Sequence, residues 1–117
     1  MKKIQILNAT KGTCLGTEIR IADTFLLRLK GLLGAAELCR GEGLLLIPCS
    51  MVHGFGMRIA VEVLYLDQSN RVMKIHELVP GRCGPYVAGA RWVLELPIGT
   101  VSHSCTELGD LLLSTRT

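Results

Sequence analysis

The chain has 117 residues, of which 49% are apolar and 20% charged, and its formal net charge is +3. That length suits one domain spanning residues 1–117, and that composition excludes a disordered or highly charged solvating segment. No apolar run approaches the ~18 residues of a membrane span, and the basic residues are scattered, with only Lys2-Lys3 adjacent, so neither a membrane nor a nucleic acid is expected as a partner.

Lys3 to Leu7 alternates, with Ile4 and Ile6 on one face, and predicts a strand. Thr10 to Gly16 is turn-like and Glu18 to Ala22 alternates again, so a hairpin turning between Asn8 and Gly16 is expected. Asp23-Thr24 can cap a short helix, because a side-chain oxygen there accepts from free backbone N–H groups. Phe25, Leu26, Leu29, Leu32 and Leu33 follow helical spacing, and Gly31 and Gly34 break it. A further helical turn is expected near Ala35 to Cys39.

Gly41-Glu42-Gly43 reads as a turn, and Leu44 to Ile47 as a strand buried on both faces. Val61 to Leu66 and Arg71 to Val79 are two strands joined by the turn Asp67–Asn70, whose Asp and Asn bond their own backbone. Pro80 to Gly89 is a loop, Arg91 to Leu96 a strand ended by Pro97, and Gly109-Asp110 a turn into a last strand, Leu111 to Ser114. Short strands with close turn signals predict an α+β, β-rich domain. Its sheet is mostly antiparallel and curved, or a partly closed barrel, with one or two short helices.

The five cysteines, Cys14, Cys39, Cys49, Cys83 and Cys105, form no CxxC and are odd in number, which predicts reduced thiols. Gln5 and Asn8 interrupt any apolar segment after Lys2-Lys3, so a cytoplasmic location is expected. Phosphate-loop, dinucleotide, nucleophile-elbow and zinc-protease motifs are absent, and no cofactor is expected.

Several stretches carry a resemblance. They are Arg28-Leu29-Lys30-Gly31-Leu32-Leu33, Gly41-Glu42-Gly43-Leu44, Cys49-Ser50-Met51-Val52-His53-Gly54-Phe55-Gly56-Met57-Arg58 and Glu62-Val63-Leu64-Tyr65-Leu66-Asp67. Val79-Pro80-Gly81-Arg82, Val93-Leu94-Glu95-Leu96-Pro97-Ile98-Gly99-Thr100 and Gly109-Asp110 follow. In this order they resemble the bacterial and archaeal domain-of-unknown-function 192 family. The resemblance implies a compact β-rich fold and no agreed biochemical activity; a small bacterial protein is expected. The chain departs from the family pattern where Gly54 replaces the usual Thr after His53, and where Ala60 and Glu62 replace a Pro and an Asp. Glu62 moves its carboxylate by about 1.5 Å, one C–C bond, relative to Asp.

Three functions follow from the residues. The first is a binding or interaction module whose polar pocket, at one end of a barrel-like body and beside the Cys49–Met57 loop, uses Ser50, His53, Met57, Glu62, Arg82 and Glu95. Its ligand would be a small molecule or a peptide; the oligomeric state is not legible. The motive is that a carboxylate near a sheet core needs a guanidinium or imidazolium, so Glu95 is expected to pair with Arg82, either as part of the site or to pin the Pro80 loop. The second is a hydrolase or transferase using His53, alone or with Cys49 as nucleophile, against the plainer reading of Cys49 as a buried apolar thiol. The third is a metal protein in which Cys49 and His53 join His103 and Cys105, two residues placed on one face if they lie on a strand. No metal is expected, because neither pair has finger-like spacing.

Overall fold

The computed structural model describes residues 2–116; the side chains of Phe25, Leu26, Leu29 and Arg116 lie outside the description, so the expected packing of the first three is not among the described contacts. Seven strands form one sheet: β1 Lys3–Asn8, β2 Thr13–Ala22, β3 Glu42–Leu46, β4 Val61–Leu66, β5 Val72–Leu78, β6 Trp92–Leu96 and β7 Leu112–Arg116. The helices are α1, Phe25–Lys30, and α2, Thr100–Ser104. The spatial order is β5-β4-β6-β3-β2-β1-β7, and every neighbouring pair is antiparallel except β2 with β3.

The β1–β2 hairpin turns through Ala9–Gly12, where Asn8 Oδ1 accepts from the Lys11 N–H at 3.0 Å. The β4–β5 hairpin turns at Asp67–Asn70, with Asp67 Oδ1 accepting from Ser69 N at 2.8 Å and Arg71 N at 3.1 Å. Both turns lie where the alternation predicts them. Two parallel strands need a crossover, which residues 23–41 supply. Thr24 caps α1, its Oγ1 accepting from Leu27 N at 3.2 Å, and Gly31 ends the helix with φ of 48°.

Two expectations fail here. Ala35–Cys39 is irregular rather than helical, and the segment Gly41–Gly43 is not a turn, since β3 already begins at Glu42. Gly43 belongs in that strand for a steric reason. A Cβ there would lie 2.8 Å from the Glu95 backbone carbonyl oxygen and 2.8 Å from Ile19 Cδ1, closer than packed atoms approach.

The sheet curls because its edge strands approach at one end. Arg71 and Leu111 form an isolated antiparallel bridge, and Val72 N donates to Asp110 O at 3.0 Å. All seven strands face inward there. Ile4, Ile6, Leu15, Ile19, Leu45, Leu64, Leu66, Val72, Leu94, Leu96 and Leu112 make one buried cluster, and α2 covers it through Val101. The result is a β-rich half-barrel.

A second apolar cluster occupies the outer face of the central strands. It joins Ala22, Leu44, Leu46, Val61, Val63, Tyr65, Leu78 and Val93 to Leu32, Val52 and Met57 from the loops. Central strands are therefore covered on both faces, which explains the unbroken apolar runs Leu44–Leu46 and Val63–Leu66.

Candidate functional site

The outer layer is built from two loops that zip together. Cys49 N donates to Arg91 O at 2.8 Å, Val87 N to Ser50 O at 3.0 Å, Gly84 N to Val52 O at 2.9 Å and Gly54 N to Arg82 O at 2.6 Å. His53 bridges Cys83 in the same ribbon. Gly54 permits the approach: a Cβ there would collide with the Val79 carbonyl and sit 3.0 Å from Arg82 O. Tyr65 anchors the ribbon from below, its buried hydroxyl donating to Pro85 O at 2.8 Å.

Between this ribbon and the end of α1 lies a cleft of about 320 Å³. Leu32, Leu46, Val52 and Met57 give it apolar walls, and Arg28 and Lys30 from the last turn of α1 give it positive charge. His53 lines it too, stacked on Phe55 with ring centroids 5.8 Å apart. The Arg28 guanidinium is held by Ile47 O, to which Nη1 donates at 2.9 Å.

Glu95 lines the same cleft from β6. Its neighbours in register are Val63 on β4 and Leu44 on β3, so its carboxylate is flanked by aliphatic side chains. It is 4% exposed and has no hydrogen-bonding or charged partner among the described residues, yet neither oxygen is sealed from solvent. Burial alone pushes its carboxyl up to about 7.

Cys49 is half-buried beside it. Its Sγ donates to Met51 O at 3.0 Å, and its thiol is raised by burial above all, with Glu95 adding to the rise and Arg28 opposing it. Tyr65 is raised to about 12, again by burial first.

The six residues expected to form one pocket divide. His53, Met57 and Glu95 line the cleft. Ser50 is half-buried in the ribbon, joined through its backbone to Val87, and does not line it. Arg82 contributes its carbonyl to Gly54, its side chain is exposed, and among the described residues no ion pair joins it to Glu95. Glu62 pairs with Leu96 rather than Glu95, so it faces the inner side of the sheet, where Oε1 accepts from Val101 N of α2 at 2.9 Å. The cleft is on the outer face of the half-barrel, not at a barrel mouth.

The four residues of the metal alternative, Cys49, His53, His103 and Cys105, are not brought together among the described residues. His103 lies in α2 and Cys105 is its C-cap at φ 57°, so the pair is not on a strand, and both are exposed. Among the described residues no three His, Cys, Asp or Glu side chains gather as metal ligands would. All five cysteines are free thiols.

Arg28 and Lys30 were not expected at the site. Their signal was local: two basic residues in the last turn of a capped helix that ends at Gly31. Which loop they would face depends on the crossover.

The DUF192 family, described as uncharacterized ACR, matches residues 6–113. The chain belongs to this family. It is 31% identical over 112 residues to a UPF0127 protein of Pyrococcus furiosus, covering 92% of this chain and 95% of that one. It is 32% identical over 110 residues to one of Pyrococcus horikoshii, covering 90% and 94%. These relatives are archaeal, so they lend no support to the expected bacterial origin. A crystal structure of a protein of unknown function from Novosphingobium aromaticivorans superposes with TM-score 0.80 at 20% identity, over 94% of this chain and 82% of that one. Another, from Sinorhizobium meliloti and provisionally named a transcription regulator, gives 0.77 at 20% identity, over 95% and 91%. At that identity both show the fold alone. No helix among the described residues is long and apolar enough to cross a membrane.

Proposed function

We propose that this domain is a small-molecule-binding module and that its site is the cleft between α1 and the loop ribbon. The carrying observation is Glu95, a buried carboxylate that opens into the cleft and has no partner among the described residues. Folded proteins pair buried carboxylates, because taking the charge out of water is costly. One left unpaired in a concave, largely apolar site of ligand size suits recognition better than support. His53 and Met57 belong to this site, and Glu62, Arg82 and Ser50 to the surrounding scaffold.

Catalysis through Cys49 draws less support. A nucleophilic cysteine needs a lowered thiol pKa and a neighbouring base. Here burial raises it, and the thiol proton goes to a backbone carbonyl.

A thermal-shift screen of small organic molecules on the full chain tests the reading. Ligands that raise Tm should perturb the NMR methyl signals of Met57, Leu46 and Val52, and the effect should weaken in Glu95→Gln and His53→Ala. Hits that instead perturb only the inner face around Leu94 and Leu112 would overturn it, as would a broad screen without any hit.

A further inference from the structure

The cleft couples one unpaired carboxylate to a set of aliphatic walls, and that pairing of chemistries restricts what can fill it. Glu95 projects from the sheet at the base of the outer layer, with Val63 and Leu44 as its cross-strand neighbours. Leu46, Val52 and Met57 are buried beside it. The cations nearest in the cleft do not neutralise it. Arg28 is committed to the Ile47 carbonyl, and no ion pair to Glu95 is formed among the described residues.

We propose that the cleft binds a primary alkylammonium ligand, its ammonium group on the Glu95 carboxylate and its hydrocarbon chain along Leu46, Val52 and Met57. This rests on the reading of the cleft as a binding site and names the ligand class. An ammonium offers three N–H donors and a full positive charge, which satisfies both carboxylate oxygens in a setting where Coulomb attraction is weakly screened. A carboxylate ligand would leave Glu95 unsatisfied and could only turn to Arg28 and Lys30, the outcome that hexanoate tests below. A neutral alcohol would offer one donor and no charge. The volume of about 320 Å³ lies at the small end of ligand sites, which favours a short chain over a peptide. Lys30 and Arg28 in the cleft then disfavour a second ammonium on the same ligand.

The proton equilibrium of Glu95 gives the proposal a signature. Only the ionised carboxylate attracts an ammonium, and burial holds this carboxyl up to about 7. Affinity should therefore rise with pH through neutrality, while the ligand's own ammonium stays charged. The other titratable or charged groups facing Glu95 are Arg28 and Lys30 from α1, Cys49 and His53 from the loop, and Tyr65 from β4. His76 on β5 and Arg20 on β2 share its cross-strand row, each two strands away.

The test uses three probes with one hydrocarbon body: n-hexylammonium, 1-hexanol and hexanoate, titrated into the full chain by methyl NMR. Hexylammonium should bind at least about tenfold more tightly than either other probe at pH 8, for one full charge pair in a buried site. Its Kd should weaken by about two powers of ten between pH 8 and pH 5, following the ionised fraction of one group. Glu95→Gln should remove both the preference and the pH dependence, whereas His53→Ala should weaken binding but keep its pH dependence, and His76→Gln should keep both. The wild-type pH series stands by itself if Glu95→Gln does not fold. Tighter binding of hexanol or hexanoate in the cleft would overturn the ligand class and leave the binding-site reading standing. No binding by any probe would also overturn the class, while the broad screen still decides the reading.

Discussion

Two carboxylates in this domain are equally screened from contact with solvent, each 4% exposed, and the fold treats them in opposite ways. Asp110, in the turn before β7, accepts from Asn8 Nδ2 at 2.9 Å, from Lys11 Nζ at 2.9 and 3.0 Å and from the Glu107 N–H at 2.9 Å. Its carboxyl is held down at about 2, by the hydrogen bond from Asn8 first and that from Lys11 next. Glu95 sits between two aliphatic strands with no such donor, and its carboxyl rises to about 7. Exposure is the same, but Glu95 lies deep among aliphatic side chains and Asp110 shallowly among donors, so depth and donor count both differ. Asp110 closes the half-barrel, since it ties β1 to the turn that meets β5. Glu95 holds nothing together, which is why it reads as a group awaiting a ligand.

The comparison sets the pH dependence of stability. A carboxyl raised in the folded state leaves the native protein holding a proton that the unfolded chain has released. Stability from Glu95 is therefore intact below its ordinary 4.5, falls as pH rises, and levels off above about 7. The full loss is roughly 3 kcal/mol, at about 1.4 kcal/mol per pH unit. Asp110 acts in the other sense: its contribution is present above its ordinary 3.8 and is lost as pH falls toward about 2. Between them, these two groups place maximal stability near pH 4–5. Urea denaturation of wild type and Glu95→Gln at pH 5 and pH 8 checks the larger half. The variant should gain on the wild type by up to roughly 3 kcal/mol at the higher pH. An equal difference at both pH values would mean that Glu95 has a partner.

Asn8 tests the other side. It is fully buried, its Nδ2 donates to Asp110 and to Thr106 Oγ1 at 3.0 Å, and its Oδ1 caps the β1–β2 turn. Asn8→Ala leaves several of these groups short of a partner and should cost about 2–3 kcal/mol, roughly 10 °C in Tm by calorimetry. Ligand binding in the cleft should persist. The two carboxylates would cease to be independent if it did not.

Much of the half-barrel was legible because strands declare themselves through period-two alternation and hairpins through turn chemistry. Ile4 and Ile6, Asp67 and Asn70, and Thr24 as a cap all behave as their residue types require. The site was less legible, for two physical reasons. Side-chain parity across strands depends on register: Glu62 and Glu95 both sit in outwardly similar apolar runs, yet Glu62 pairs with Leu96 and so turns inward. A missing partner is also a property of the folded surroundings, so the unpaired state of Glu95 appears nowhere in the run Val93–Leu96. The helix α2 escaped detection because five residues between Gly99 and Cys105, opening on β-branched Thr100 and Val101, carry no amphipathic period. His103 and Cys105 consequently lost the strand face on which they were paired.

Thr24 lies a step lower in effect. Its Oγ1 satisfies one free N–H at the start of α1, the helix that carries Arg28 and Lys30 to the cleft. Thr24→Ala should cost about 1 kcal/mol in chemical denaturation. It should also speed amide hydrogen exchange in α1 before it affects the sheet, because the helix is six residues long and depends on its cap.

Arg82 is the smallest expected effect and separates a site residue from a scaffold one. Charge makes it the natural partner of a carboxylate such as Glu95. In the fold its carbonyl carries the structural role by accepting from Gly54 N, and an alanine keeps that carbonyl. The guanidinium is exposed and makes no ion pair among the described residues. An exposed charge without a partner contributes little, so Arg82→Ala should change stability by less than about 0.5 kcal/mol. It should leave the pH dependence attributed to Glu95 unaltered, since a cation paired with that carboxylate would have pulled its pKa down rather than left it raised. A Tm drop of several degrees with a new pH dependence would show that Arg82 reaches Glu95 in solution, and would make the two buried carboxylates alike after all.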